Sequence, residues 1–276
     1  MASRLRRARR GLIGALAIAG AALLAGCAGG APAATDTAAP ADAAAAPSAD
    51  TLSGELTVFA AASLNQVFDE IAADFMAEHP ETSITFNYGG SSGLVTQMQD
   101  GAPVDVLATA NESTMKNAIE ASLMSAEQPI FATNVLTVVV EPGNPKNITG
   151  LSDLTRDDVA LVVCAEQVPC GAATNKLEET TGITLSPVSE ENAVTDVLGK
   201  ITTGQADAGI VYVTDARGAG DQVAEVVIPE AADIVNNYPI GVTASTTNPE
   251  LAQAFVDYVL AASAQQKLQA AGFGAP

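Results

Sequence analysis

From residue 54 onward the chain alternates short apolar runs of strand length with stretches of helical periodicity, and few architectures accommodate that alternation. The strand-like runs are Leu56 to Ala60, Ile84 to Tyr88, Val104 to Ala108, Val135 to Val140, Val159 to Cys164 and Gly209 to Val213. A helix from Leu64 to Ala77 would carry Leu64, Val67, Phe68, Ile71 and Phe75 on one face, and another beginning near Asn192 would carry Val194, Val197, Leu198 and Ile201. A last helix opens at Asn248-Pro249-Glu250, with proline at the first helical position, and runs through Leu251, Phe255, Val259 and Leu260. Strands alternating with helices predict an α/β body with mainly parallel sheet. The turn signal Pro142-Gly143-Asn144-Pro145 follows a strongly apolar strand and is a candidate for the passage into a second lobe.

The N-terminus has a different character. Arg4, Arg6, Arg7, Arg9 and Arg10 precede an uncharged, mostly apolar run from Gly11 to Gly26 that is too short to span a bilayer comfortably, so residues 1–26 read as a signal peptide. The run ends in Leu24-Ala25-Gly26-Cys27, which resembles a bacterial lipobox; an ordinary cleavage site beside a stray cysteine is the alternative. The expectation is an extracytoplasmic protein anchored to the plasma membrane through lipidated Cys27, with Sec and twin-arginine export both open. Residues 27–53 are Ala, Pro, Thr, Asp, Ser and Gly with a single leucine after Cys27, a composition that buries too little to fold and reads as a flexible tether.

Charge narrows the partners. The chain has 12 basic and 32 acidic residues, net −20, and losing the five arginines of the signal peptide takes it to −25. Such a chain is no general nucleic-acid binder. Nor does it draw small anions inward from afar, although its field fades over about 8 Å at physiological salt. Any anion site must work at contact distance.

Of three cysteines, Cys27 is assigned to lipid, which leaves Cys164 and Cys170 to pair in an oxidising compartment. Zinc binding and two free thiols are the alternatives, the first weakened because His79, the sole histidine, stands beside Pro80 at an expected helix end.

Ser63 and Ser91 each stand where a strand-like run gives way to a helix-like one, in Ala60-Ala61-Ala62-Ser63-Leu64 and Gly89-Gly90-Ser91-Ser92-Gly93-Leu94. Helix N-termini carry free N–H groups, the local chemistry of an anion site. Neither serine has a Lys or Arg within ten residues, and the glycine-rich run lacks the Lys-Ser/Thr pair of a nucleotide-binding loop. For each there is a plainer account. Ser63-x-x-Gln66 matches a capping box, so Ser63 would merely cap its helix, and Gly89 to Gly93 would be a simple turn. No G-x-S-x-G elbow is present, and one histidine at a helix end is a poor start for a Ser-His-Asp triad.

Five segments, in order, carry a family resemblance. Leu56-Thr57-Val58-Phe59-Ala60-Ala61-Ala62-Ser63-Leu64 resembles the opening strand and first ligand loop of the molybdate-binding components of ABC importers, and Gly89 to Leu94 their second serine loop. Gly101-Ala102-Pro103-Val104-Asp105, Val168-Pro169-Cys170-Gly171 and Gly209-Ile210-Val211-Tyr212 are similar to that family's Gly-Ala-Pro-x-Asp, Val-Pro-Ala-Gly and Gly-Ile-Val-Tyr segments, and the ending Gly272-Phe273 is also typical. The resemblance implies a two-lobed, periplasmic-binding-protein-like (type II) fold with a ligand cleft between lobes: lobe one 54–135 plus 239–276, lobe two 136–238.

It also implies a pocket for a tetrahedral oxyanion, molybdate or tungstate. Ser63 and Ser91 would offer hydroxyl and N–H, Cys170 an N–H where the family usually has alanine, Val194 an N–H at its helix start, and Tyr212 its phenol. No cofactor and no direct metal ligand are expected, since the metal enters as the oxyanion. The implied partners are an ABC permease and its ATPase, with the protein itself a monomer and not an enzyme. The chemistry is coherent: molybdate is a dianion without a proton to donate, so a pocket of donors alone suits it, and each helix N-terminus contributes about half a positive charge. The alternatives are a receptor for another anion such as sulfate or an organic carboxylate, a lipid-anchored serine hydrolase, and an inert surface lipoprotein.

Overall fold

A computed structural model describes residues 52–125 and 127–276; the expected signal peptide, lipidated Cys27 and nearly all of the tether lie outside the described residues. Among the described residues, ten strands and eight α-helices follow one another as β1 (Gly54–Ala61), α1 (Asn65–Glu78), β2 (Thr82–Gly89), α2 (Ser91–Gln99), β3 (Val106–Ala108), α3 (Glu112–Glu120), β4 (Ile130–Asn134) and β5 (Leu136–Val140). Then come β6 (Leu161–Cys164), α4 (Pro169–Thr181), β7 (Ser189–Glu191), α5 (Val194–Thr202), β8 (Ala208–Tyr212), α6 (Val213–Ala219), β9 (Ala224–Val226), β10 (Asn236–Val242), α7 (Pro249–Leu260) and α8 (Ala262–Ala271).

The strands form two five-stranded sheets, ordered β2-β1-β3-β10-β4 and β7-β6-β8-β5-β9. Each has the same plan. In the first, β1 pairs in parallel with β2 and β3 while β10 runs antiparallel to β3 and β4; in the second, β6 pairs in parallel with β7 and β8 while β5 runs antiparallel to β8 and β9. The expected mainly parallel sheet is therefore corrected to two mixed sheets. Parallel strands need helical crossovers, which the chain has after β1, β2, β6 and β7, whereas β5 and β10, the first strands after each passage between sheets, run antiparallel to their neighbours. That passage, at Val135, lies ahead of the Pro142-Gly143-Asn144-Pro145 turn, which instead follows β5 within the second sheet's half of the chain. The return falls before Asn236, so the expected 238/239 boundary lies inside β10.

Period-two patterning explains how the first sheet is covered on both faces. Leu56, Val58 and Ala60 face a core that includes Phe68, Ile71 and Phe75 of α1 and Phe255 of α7, while Phe59 on the opposite face packs with Leu94 and Met98 of α2 and Met115 of α3. Phe68 is fully buried, its ring 5.6 Å from that of Phe131 and 6.1 and 6.4 Å from those of Phe86 and Phe255. The Gly-Ala-Pro-x-Asp segment serves this frame: the Asp105 carboxylate accepts from the Thr57 N–H at 2.7 Å and from the Thr246 hydroxyl at 2.7 Å, tying β1 to the segment that leads into α7.

In the second half, α6 begins directly at the end of β8. The Asp215 carboxylate accepts from the Tyr212 N–H at 3.0 Å and is buried. Burial pushes this carboxyl from its ordinary 3.8 up to about 7, against the opposing pull of the Tyr212 N–H.

Two outcomes are expected. Phe68→Ala costs about 3–5 kcal/mol of unfolding free energy in urea, because it opens a cavity where several rings meet. For Asp215, a folded pKa above the unfolded one means stability that is present in full below about pH 4 and lost as pH rises through about 7. The melting temperature should accordingly fall between pH 5 and 8.5 relative to Asp215→Asn, whose amide keeps an oxygen for the Tyr212 N–H; a rise in that window would contradict it.

Candidate functional site

Two sets of three parallel strands, one in each sheet, end at one place. The residues that follow β1, β2 and β3 and those at the ends of β6, β7 and β8 face each other across a small cavity, the position at the carboxyl ends of strands where open α/β sheets bind ligands. Its lining includes Ala62, Ser63, Gly90, Ser91 and Ala110 from one half and Val168, Pro169, Cys170, Val194 and Tyr212 from the other. All five residues singled out in the sequence are thus brought together. The cavity is about 10 Å³, the room of about one water-sized sphere, so seating a four-oxygen anion requires the walls to part slightly.

Three helices aim their N-termini here. In α2, α4 and α5 the first backbone hydrogen bonds are made by Leu94 to Gly90, Ala172 to Val168 and Asp196 to Ala193, which leaves the N–H groups of Ser91, Cys170 and Val194 ahead of them. Pro169 at the start of α4 fits because proline there forfeits no helical bond. No Lys or Arg lines the cavity. The positive ends of three helix dipoles supply the potential, each worth up to about half a charge.

The hydroxyls have buried partners. Ser91 Oγ accepts from the Ala110 N–H at 3.1 Å, Tyr212 Oη accepts from Asn236 Nδ2 at 2.9 Å, and Ser63 Oγ lies 3.0 Å from Tyr238 Oη. Asn134 Nδ2 donates to Thr214 Oγ1 at 2.8 Å and reaches Tyr238 Oη at 3.4 Å. Burial, above all, pushes both phenols well above their ordinary values, so Tyr212 and Tyr238 remain neutral donors at physiological pH.

Ser63 corrects an expectation. The capping box it was expected to form with Gln66 is absent: a 3-10 turn, Ala62–Leu64, precedes α1, the helix has Leu64 at its N-cap with no side-chain cap, and the Ser63 hydroxyl turns to Tyr238 instead. Cys170 is joined to Cys164, so the loop between β6 and α4 is closed by a disulfide. Two glycines there are required by space. A Cβ on Gly171 would stand 2.0 Å from the Ala165 carbonyl oxygen, and one on Gly90 2.0 Å from the Asn192 carbonyl oxygen on the opposite wall.

Asn134, Asn236 and Tyr238 are functional neighbours that sequence reasoning passed over. A signal existed: Asn236 and Tyr238 occupy alternate positions in Asn236-Asn237-Tyr238-Pro239-Ile240, which puts both on one face of a strand where asparagine is normally disfavoured. Two larger hollows, of about 640 and 370 Å³, flank the cavity, the smaller sharing Ser63 and carrying Asp215, Arg217 and Lys267. Neither takes in the starts of α2, α4 and α5 together with the hydroxyls of Ser63, Ser91 and Tyr212, so size does not decide the site.

Known proteins share this plan. The chain is 43% identical over 266 residues to the molybdate-binding protein ModA of Mycobacterium tuberculosis, covering 96% of this chain and 97% of that one. Its structure resembles the periplasmic molybdate-binding protein of Azotobacter vinelandii with a TM-score of 0.71 at 20% identity, covering 80% and 99% of the two chains. It also resembles the sulfate-binding protein SubI of M. tuberculosis, at 0.67 and 22%, covering 79% and 86%. The fold is therefore the two-lobed α/β fold of periplasmic binding proteins. With the model for bacterial extracellular solute-binding proteins matching residues 56–274, nearly all of the folded part, the chain belongs to that family.

Proposed function

We propose that this protein captures molybdate, and with it tungstate, outside the cytoplasm and hands it to an ABC permease driven by its ATPase. One observation carries the reading: Ser63, Ser91, Cys170, Val194 and Tyr212 line a single cavity that no Lys or Arg lines and that is supplied by three helix N-termini. In this reading Ser63, Ser91 and Tyr212 donate hydroxyl hydrogens, Ser91, Cys170 and Val194 donate N–H groups, and every contact is a donor facing an anion that only accepts. The disulfide to Cys164 holds the Cys170 N–H in place. No prosthetic group takes part, and a lipid on Cys27 would keep the monomer at the membrane.

The two sheets are the cores of the two lobes, the first made of 54–135 with the C-terminal segment from 236, the second of 136–235. The start of β10 sets the second crossing. Closure presses Gly90 against Asn192, and the closed form is what the permease reads. Neither serine hydroxyl is hydrogen-bonded to a base. His79 ends α1, whose 14 residues span about 21 Å from the site, and the partners of Ser63 and Ser91 are a phenol and an N–H.

A second reading, sulfate, is favoured by the fold shared with a sulfate-binding protein and by the equal charge of the two anions. The discriminating quantity is size. Calorimetry with molybdate, tungstate, sulfate and phosphate should give tight binding of the first two only; sulfate bound as tightly as molybdate would overturn the selectivity. Ser91→Ala and Tyr212→Phe should each weaken molybdate binding by about 1–3 kcal/mol, since each leaves an anionic oxygen short of a donor. Gly90→Ala tests closure apart from chemistry. Its backbone, at φ −62° and ψ 129°, accepts alanine without strain, but the methyl would overlap the Asn192 carbonyl. Molybdate affinity, read by calorimetry, should drop at least tenfold.

A further inference from the structure

We propose that Asn236 is the residue that makes Tyr212 a donor and so excludes oxyanions that carry a proton; the inference rests on the molybdate reading above. Asn236 Nδ2 makes two bonds, to the Ala110 carbonyl oxygen at 2.8 Å and to Tyr212 Oη at 2.9 Å. The first settles which way the carboxamide faces. A carbonyl oxygen only accepts, so the group beside it must be NH₂, and turning the amide over would set two acceptors against each other. The second amide hydrogen then belongs to Tyr212 Oη, which must accept it.

A phenol that accepts from a fixed donor turns its own hydrogen elsewhere. For Tyr212 that direction is the cavity it lines. The Ala110 peptide extends the same polarity: its C=O holds Asn236, and its N–H donates to Ser91 Oγ, so the Ser91 hydroxyl is also left with its hydrogen for the ligand. One peptide and one carboxamide thus occupy the accepting sides of two pocket hydroxyls, and all four groups are buried.

The consequence is selection by protonation. A bare dianion meets hydrogens on every side. Hydrogen phosphate must also donate, and the oxygens of Tyr212 and Ser91, each already accepting a hydrogen, are the poorer acceptors for its O–H. Asn236 stands on β10 of the first sheet and Tyr212 on β8 of the second, so the bond also joins the two walls. Asn236 is a positioning residue acting through Tyr212, and its effect must vanish when the Tyr212 hydroxyl is gone.

The test is a double-mutant cycle by calorimetry, with molybdate and with inorganic phosphate at pH 7, on wild type, Asn236→Leu, Tyr212→Phe and the double variant. Asn236→Leu should weaken molybdate about tenfold and raise the phosphate-to-molybdate affinity ratio, yet add nothing to Tyr212→Phe. Equal losses on both backgrounds, or an unchanged ratio, would overturn the inference while leaving the molybdate reading intact. Wild type that takes up phosphate and not molybdate would overturn both. Asn236→Asp, the same shape, answers if the leucine variant does not fold: an ionised carboxylate takes the Tyr212 hydrogen for itself, so molybdate affinity should fall with rising pH more steeply than in wild type. A profile parallel to wild type would sink the proposal.

Discussion

A buried site for an anion with no cationic side chain depends on aligned peptide dipoles, and aligned peptide dipoles depend on where helices begin. Three N-termini must meet within a few ångströms while their helices diverge, each packed on its own sheet. One sheet cannot arrange this, because helices that follow its parallel strands run alongside each other. Two sheets with their carboxyl edges facing can. β2 delivers α2 from one side, and β6 and β7 deliver α4 and α5 from the other. The chain must therefore cross between sheets, and it does so next to the site, at Val135 and just before Asn236.

Those crossings explain why the residues behind the pocket are asparagines and a tyrosine. Each crossing adjoins the end of a first-sheet strand, where a polar side chain reaches the other half: Asn134 at the end of β4 reaches Thr214 at the start of α6, and Asn236 at the start of β10 reaches Tyr212. No buried side-chain nitrogen or oxygen among the described residues lacks a hydrogen-bond partner, which lowers the penalty for burying these groups and favours one arrangement of the hydroxyls they hold.

What was legible in the sequence follows from the same geometry. Ser63, Ser91, Cys170, Val194 and Tyr212 sit at or just past the ends of strands, and a strand-to-helix change is a local signal: a period switching from 2 to 3.6 around small residues. The alternation that revealed α/β structure came from the buried parallel strands, which are continuous apolar runs. β7 and β9, at sheet edges, have three residues each, too short for a pattern. β10 mixes asparagine, proline and glycine with its apolar residues, because it serves the site as well as the sheet. Ser63 shows the limit of local reading. Ser63-x-x-Gln66 is a sound capping pattern, but the hydroxyl has a better partner in Tyr238, 175 positions away in the chain.

On the proposed function, the absence of a cation also suits release. A lysine or arginine in the pocket would keep its full charge beside the anion whether the lobes were closed or parted. Helix ends behave otherwise. Their attraction is the sum of partial charges that converge only while the two walls stand close, and once the walls separate, water reaches the N–H groups and the contribution of each is screened. Affinity is then a property of the closed state alone, and a permease that opens the cleft frees the anion without having to compete with a fixed charge. The strongly acidic surface acts in the same direction: it gives an anion no long-range hold on the open protein, so retention rests entirely on contact.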